Sequence, residues 1–355
     1  MDCHNGSYRK AGITMAFENL TEREKQILAN LINHYILSAD PVGSRAIANR
    51  FQMGISSATI RNTLQDLEEL GLVEQPHTSA GRIPTDQGYR VYVDYLLQPE
   101  QLSEVEKEAI RGRMLKEGRG IREILGQTAK LLGDITHQLG VTIAPRFESG
   151  VLKDLRLIPV SEGRLMVVVI VESGLARSVI LEVEVSLSDR ILAEVEACLN
   201  ERLRGLTLLE IRSTVSARLA DIPGNARLLQ LVIDSRDKIW TESSSEDLLI
   251  AGQENLLLQP EFVLPERLAA LMRLVQDPRG LASALGHAHE EDLVISIGRE
   301  NTLHDIIGCS LVTASYRVGN IAGAVGIVGP TRMPYNKAVS IVEYTAKSIT
   351  EVLSG

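Results

Sequence analysis

The 355-residue sequence predicts an α+β protein of several domains: an N-terminal winged helix-turn-helix, then a sheet domain interrupted by a mainly helical block. Residues 44–90 supply the first observation, SRAIANRFQMGISSATIRNTLQDLEELGLVEQPHTSAGRIPTDQGYR: a short helix, a turn, a longer helix and a polar loop with Arg and His. That shape places one helix in a DNA groove. The second is that strand-like segments flank a long region of helical periodicity. The third is that no group of residues has the spacing of a metal site or a nucleophile with its base.

Thr21-Glu22-Arg23-Glu24 is a capping box, and Ile27, Leu28, Leu31, Ile32 and Tyr35 then form the inward stripe of a first helix. Pro41 and Gly43 break the chain, and Ser44 is positioned to cap a second helix over Ala46, Ile47 and Phe51. Ser56, after the apolar Ile55, caps the third. At about 100° per residue, Ile60, Leu64 and Leu67 fall inward, Leu70 lies at the edge, and Gly71 ends the helix. The opposite face carries Ala58, Arg61, Asn62 and Gln65. Arg, Asn and Gln make paired hydrogen bonds to guanine and adenine edges, and a small Ala permits close approach. Asp66, Glu68 and Glu69 sit in the later turns, which phosphates tolerate only if the helix enters N-terminus first. Leu72-Val73-Glu74 reads as a strand and 76–84 as the wing, whose His77, Thr78, Ser79 and Arg82 are donors for phosphate oxygens or a minor groove. The candidate DNA-contacting set is Arg45, Ser57, Ala58, Thr59, Arg61, Asn62, Gln65, His77, Thr78, Ser79 and Arg82.

Downstream, a helix over 86–97 closes the module before Pro99, and Ser103 opens a charged helix. A second amphipathic helix carries Ile121, Ile124, Leu125, Leu132, Ile135 and Leu139. Strands are expected at 152–160, 165–171 and 177–185. After Ser188 the pattern turns helical, with stripes at Ile191/Leu192/Val195/Leu199/Leu203, Leu208/Ile211/Val215/Leu219, Leu228/Leu229/Val232 and Leu268/Leu271/Met272/Val275. Strands return at 293–297, 308–318 and 321–328, and a last helix follows Pro334. The expected division is an extension at 1–19, poorly ordered and with Met15 as an alternative start; a winged helix at 20–98; a sheet domain at 103–187 plus 291–355; and a helical insert at 188–290.

Composition narrows the function. A net charge of −9 argues against indiscriminate coating of nucleic acid, and residues 45–90 hold five arginines against five acids. Specific binding must therefore come from where the basic groups sit. Cys3, Cys198 and Cys309 are scattered without metal spacing, as in a reducing cytosol. No signal-like segment or uncharged apolar run of 18 residues is present, so the expectation is a cytoplasmic protein with no membrane partner. Glu117-Gly118-Arg119-Gly120 lies between helices rather than after a strand, which excludes a phosphate loop. His287, His289, Glu290, Glu291 and Asp292 match no metal-ligand motif. His304 and Asp305 near Cys309 would suggest a nucleophile with a base, but a Cys in an apolar strand is packing. No enzyme, cofactor or metal is expected. Ser310, Thr313, Ser315 and Tyr316 are candidates to line an effector pocket, or simply the outer face of a strand.

The run SSATIRNTLQDLEELGLVEQPHTSAGRIPTDQGYRVYVDYLL resembles the N-terminal domain of the heat-inducible transcription repressors called HrcA. The runs GQENLLLQPEF and IGRENTLHDIIGCSLVTASYRVGNIAGAVGIVGPTRMPYNKAVSIVEYTAKSITEVLS are similar to the same family, so the likeness spans 20–353. The resemblance implies that the sheet domain is GAF-like and the insert a dimerisation domain. It further implies a homodimeric repressor of chaperone operons of the groE/dnaK type. Such a repressor binds an inverted-repeat operator called CIRCE, is kept active by the GroEL chaperonin and is lost on heat shock. The alternative is a winged-helix regulator whose GAF-like domain senses a small effector.

Overall fold

The computed structural model describes residues 20–51, 54–114, 120–183, 188–220, 226–240, 248–263, 265–276, 281, 292–301 and 308–354. Helix α1 (Glu22–Ser38) opens on its capping box, in which the Glu24 N–H donates to the Thr21 hydroxyl and the Thr21 N–H to the Glu24 carboxylate. It buries Ile27, Leu28, Leu31 and Ile32. Helix α2 (Ser44–Phe51) adds Ile47, and α3 (Ser57–Glu69) adds Ile60, Thr63, Leu64 and Leu67. Gly43, not Ser44, holds the capping place of α2, because the N–H groups of Ala46 and Ile47 both donate to its carbonyl. Strands β1 (Val73–Glu74) and β2 (Ile83–Pro84) pair antiparallel at the wing root. Helix α4 (Asp86–Val91) and the π turn Tyr92–Leu96 fold Tyr89, Val91 and Tyr92 back onto the same core.

Helices α5 (Glu104–Met114) and α6 (Ile121–Thr136) lead into β3 (Leu139–Ile143). Leu139, expected on a helical stripe, instead begins a fully buried strand. Helix α6 stops at His137, whose φ of 54° is the left-handed cap conformation. Gly or Asn usually marks such a stop, and neither is present here.

The central sheet contains β7 (Leu248–Ala251), β3, β10 (Ile321–Pro330), β9 (Cys309–Val318) and β8 (Leu293–Ile297) in that spatial order, antiparallel throughout. One face carries α6 and α13 (Tyr335–Ser354). Leu125, Leu132, Val325, Ile327, Ile341 and Ile349 there join one continuous apolar core with the winged helix. The other face buries Val141, Leu248, Leu311 and Val328 with Leu256 of α11 (Gln253–Leu257) and Phe262. Both faces are covered, so the central strands β3, β10 and β9 are buried almost throughout, without the in–out alternation of a half-exposed sheet.

Strand β7 lies within the stretch expected to be helical. It pairs with β3, with Gly140 opposite Ala251 and Ile143 opposite Leu248. Residues 144–247 thus leave the sheet from one strand and re-enter on its neighbour, so the insert is 144–247 rather than 188–290. Strands β4 (Leu152–Ser161), β5 (Arg164–Val171) and β6 (Ala176–Glu182), expected in the sheet domain, form a separate three-stranded sheet inside the insert. Helices α7 (Asp189–Leu203), α8 (Leu208–Leu219), α9 (Ala226–Asp234) and α10 (Arg236–Ile239) cover one face of it. Leu192, Leu199, Ile211, Val215, Leu229 and Trp240 close this second core. Helix α7 also covers the β4 edge. The Asn200 amide exchanges two hydrogen bonds of 2.8 Å with the Leu155 backbone, and the Leu157 N–H donates to Glu196 at 2.9 Å. In α12 (Pro265–Gln276), Met272 is exposed, while the side chains of Leu268, Leu271 and Val275 lie outside the described residues.

Because Ile143 and Leu248 are already register partners, replacing residues 144–247 with a two-residue Asn-Gly turn should leave a folded chain. Circular dichroism and a cooperative thermal transition check this. Aggregation of the variant would place essential sheet stability in the insert.

Candidate nucleic-acid interface

Helix α3 is held at both ends by local chemistry. The Thr59 N–H donates to the Ser56 hydroxyl at 3.1 Å, and the two hydroxyls lie 2.9 Å apart. At the far end Gly71 adopts φ +72°, its N–H bonds to the Glu68 carbonyl, and the Leu72 N–H bonds to the Leu67 carbonyl. This is a Schellman cap, and only a residue without a Cβ takes that φ at no steric cost. Ala58, Arg61, Asn62 and Gln65 are all exposed along one stripe, opposite the buried Ile60, Thr63, Leu64 and Leu67. Ser57 and Thr59 are half-buried in the first turn, and Arg45 is exposed in the first turn of α2.

The wing presents His77, Thr78 and Ser79 in the open. Its tip is shaped by Gln75, whose Nε2 donates to the carbonyls of Thr78 at 3.0 Å and Ala80 at 2.9 Å. Its root is bonded to the α1–α2 linker by two reciprocal 2.9 Å bonds between Val42 and Arg82. A Cβ on Gly81 would sit 2.4 Å from the Val42 carbonyl carbon, so this approach requires glycine. The linker, α3 and the wing therefore form one continuous surface.

Arg82 departs from the expectation that it holds phosphates. Its Nη2 lies 2.7 Å from Glu68 Oε2, its side chain is one-fifth exposed (20%), and its Nε is buried without a partner. It fastens the wing to the last turns of α3 and offsets the charge of Glu68. Sequence reasoning took Arg82 as a free donor because the pairing crosses a turn and a strand. Gln75 escaped notice because a lone Gln before Pro76 carries no local signal.

Arg90 is not on this surface. It donates to Glu300, to the Ile295 carbonyl at 2.7 Å and to Asp94 at 3.0 Å, on the side that meets the sheet domain. Burial opposes its charge, but Glu300 and then Asp94 outweigh that and raise its pKa above the ordinary guanidinium value. It is a permanent structural cation.

The strand hydroxyls proposed as pocket lining are mostly engaged internally. Ser310 bonds the Tyr335 hydroxyl at 2.6 Å, Thr313 donates to the Val294 carbonyl, and Tyr316 donates to the Ile143 carbonyl. Ser315 is half-buried. Burial pushes the Cys309 thiol up to about 12, which leaves it a packing residue. Among the described residues no group of three His, Cys, Asp or Glu side chains is placed to hold a metal. Residues 117–119, His287, His289, Glu290, Glu291, His304 and Asp305 lie outside the described residues, as do Met15 and the rest of 1–19. No described helix is long and apolar enough to cross a membrane.

Two family models match the chain: "winged helix-turn-helix transcription repressor, HrcA DNA-binding" over residues 19–94 and "HrcA protein C terminal domain" over residues 122–339. The heat-inducible transcription repressor HrcA of Chlorobium phaeobacteroides is 39% identical over 352 residues, covering 96% of this chain and 100% of its own. That of Chlorobaculum tepidum is 40% identical over 357 residues, covering 96% and 99%. A crystal structure of a hypothetical protein aligns over 95% of this chain and 99% of its own, with a TM-score of 0.59 and 26% identity.

The Arg82–Glu68 geometry makes a prediction about salt. Arg82→Ala should weaken duplex binding by loosening the wing, with the slope of log K against log salt unchanged. A slope smaller by about one would put Arg82 on a phosphate after all.

Proposed function

The chain belongs to the HrcA family of heat-inducible transcription repressors, and from that premise we propose a homodimeric repressor of chaperone operons that reads the CIRCE inverted repeat. The observation that carries this reading is the exposed stripe of Ala58, Arg61, Asn62 and Gln65 on a helix whose acids are held to its last turns. Arg61, Asn62 and Gln65 read base edges. Arg45 and the α2 N-terminus, with Ser57, Thr59 and the wing residues His77, Thr78 and Ser79, face the phosphates. Arg82 holds the wing in place. GroEL keeps the repressor active, and heat shock releases the operons when damaged proteins occupy the chaperonin. A search of the same genome tests this assignment: a CIRCE element upstream of the chaperonin genes would support it, and its absence there would count against it.

What the insert leaves unburied supports one choice of dimer contact. Helices α7–α10 direct their apolar stripes onto the sheet of their own subunit, which favours the other face of that sheet over these helices as the dimer contact. The opposite face of the β4–β6 sheet carries Ile158, Met166 and Ile180 in one cross-strand row. Ile158 is 41% and Ile180 56% exposed, with Val160 beyond them. A contiguous apolar face of this kind suits a two-fold contact.

A second reading, that the sheet domain senses a small effector, has one observation in its favour. A cleft of about 840 Å³ between α4 and the sheet domain is lined by Tyr35, Tyr89, Arg267 and Arg299 among others. A shift in thermal unfolding with small anionic metabolites would move the assignment in that direction.

Arg61→Ala should cost about 1–3 kcal/mol on the operator and relax preference at one base position. Gel-shift titration at fixed salt decides it: if the variant binds operator and random duplexes as the parent does, α3 is not the reader. Ile180→Glu should yield monomers by sedimentation and lose most affinity for the full repeat. A dimer that persists places the contact elsewhere.

A further inference from the structure

We propose that Arg332 is a positioning residue: it fixes the direction in which the recognition helix is presented, and with it the half-site spacing that the dimer accepts. This rests on the dimeric operator reading above.

The last-turn carbonyls of a helix have no intrahelical partner and carry partial negative charge. Helix α1 has no basic residue in its own last turn. The cation comes from nearly three hundred residues downstream, where Nη1 of Arg332 donates to the Ile36 carbonyl at 2.7 Å. The same guanidinium donates through Nε to Glu261 Oε1 at 2.6 Å and through Nη2 to Gln259 Oε1 at 3.1 Å. The Arg332 and Glu261 side chains are only 13% and 17% exposed. One planar fork thus ties three separate segments: the end of α1, the turn 259–262 after α11, and the loop leaving β10. Lysine offers charge without that fork.

The contact is matched from the other side. Arg90 of the winged helix reaches into the sheet domain through Glu300 and the Ile295 carbonyl. Asp86 accepts from the Arg299 N–H at 3.0 Å. Each domain inserts a guanidinium into the other, about a shared apolar core. Helix α1 packs on α3 in that core, so the angle of α1 sets the angle of the reading stripe. In a dimer, two heads fixed in angle accept one half-site spacing, because each base pair of spacer rotates the second site by about 34–36°. Heads that swivel accept several spacings and lose the gain of joint engagement.

The test uses full-length Arg332→Ala and, from the partner side, Glu261→Gln. Each is titrated on a single-arm duplex, on the full repeat, and on repeats whose spacer is lengthened or shortened by two base pairs. Sedimentation confirms the dimer. The expected result is single-arm affinity within about twofold of the parent, at least a tenfold loss of preference for the full repeat over one arm, and altered spacers bound nearly as well as the correct one. Arg332→Lys should not restore spacing selectivity. Unchanged selectivity in folded variants overturns the proposal, as does an equal loss on single arms and full repeats, which would mark a purely structural role. If Arg332→Ala does not fold, Glu261→Gln decides on the same criteria. A parent with no preference for the repeat over one arm sinks the dimeric operator reading itself, whereas a selective parent with equally selective variants sinks only this inference.

Discussion

Burial of Ile60, Thr63, Leu64 and Leu67 in the core built by α1 and α2 is the constraint on which the exposed face of α3 depends. A helix cannot choose its faces independently. Once that stripe is inside, Ala58, Arg61, Asn62 and Gln65 must project outward, and the Schellman cap at Gly71 then sets where the wing begins. Fully burying each aliphatic side chain contributes about 1.5–3 kcal/mol. The polar residues opposite are oriented by apolar packing and need few contacts of their own.

The winged helix was legible because its signals are local. The capping box at Thr21, the cap at Ser56 and the glycine at 71 each act within a few residues of themselves. The insert boundaries were not legible, because strand pairing is a long-range fact. Leu248-Leu249-Ile250-Ala251 is as compatible with one turn of helix as with a strand, and only the partner β3 decides. Strands β4–β6 were recognised as strands, but no residue in them says which sheet they join. Leu139 fell on the helical phase because the stop at His137 uses a residue that seldom adopts a left-handed φ. The outward stripe of α3 follows from helix period and could be read locally, whereas the Arg82–Glu68 ion pair is a fact of tertiary geometry.

The electrostatics follow a similar division. A chain of net charge −9 meets a polyanion by placement. The exposed Arg45, Arg61, Asn62 and Gln65 lie on α2 and along the outward stripe of α3, while Glu68 is paired with Arg82. Arg90 and Arg332 are spent inside, on carboxylates and on carbonyls that would otherwise be orphaned. Counting arginines would have assigned all of them to DNA.

The cover that α7 lays along the edge of β4 bears on how large an assembly can become. With the Leu155 and Leu157 backbone already hydrogen-bonded to Asn200 and Glu196, the small sheet can be extended by another chain on one side at most. A sheet open at both ends is a template for fibres; one sealed along one edge is a terminus. Strand-to-strand growth of this sheet is therefore confined to the β6 side, so that a pairing made there by two copies uses up the edge and leaves no further strand to add to.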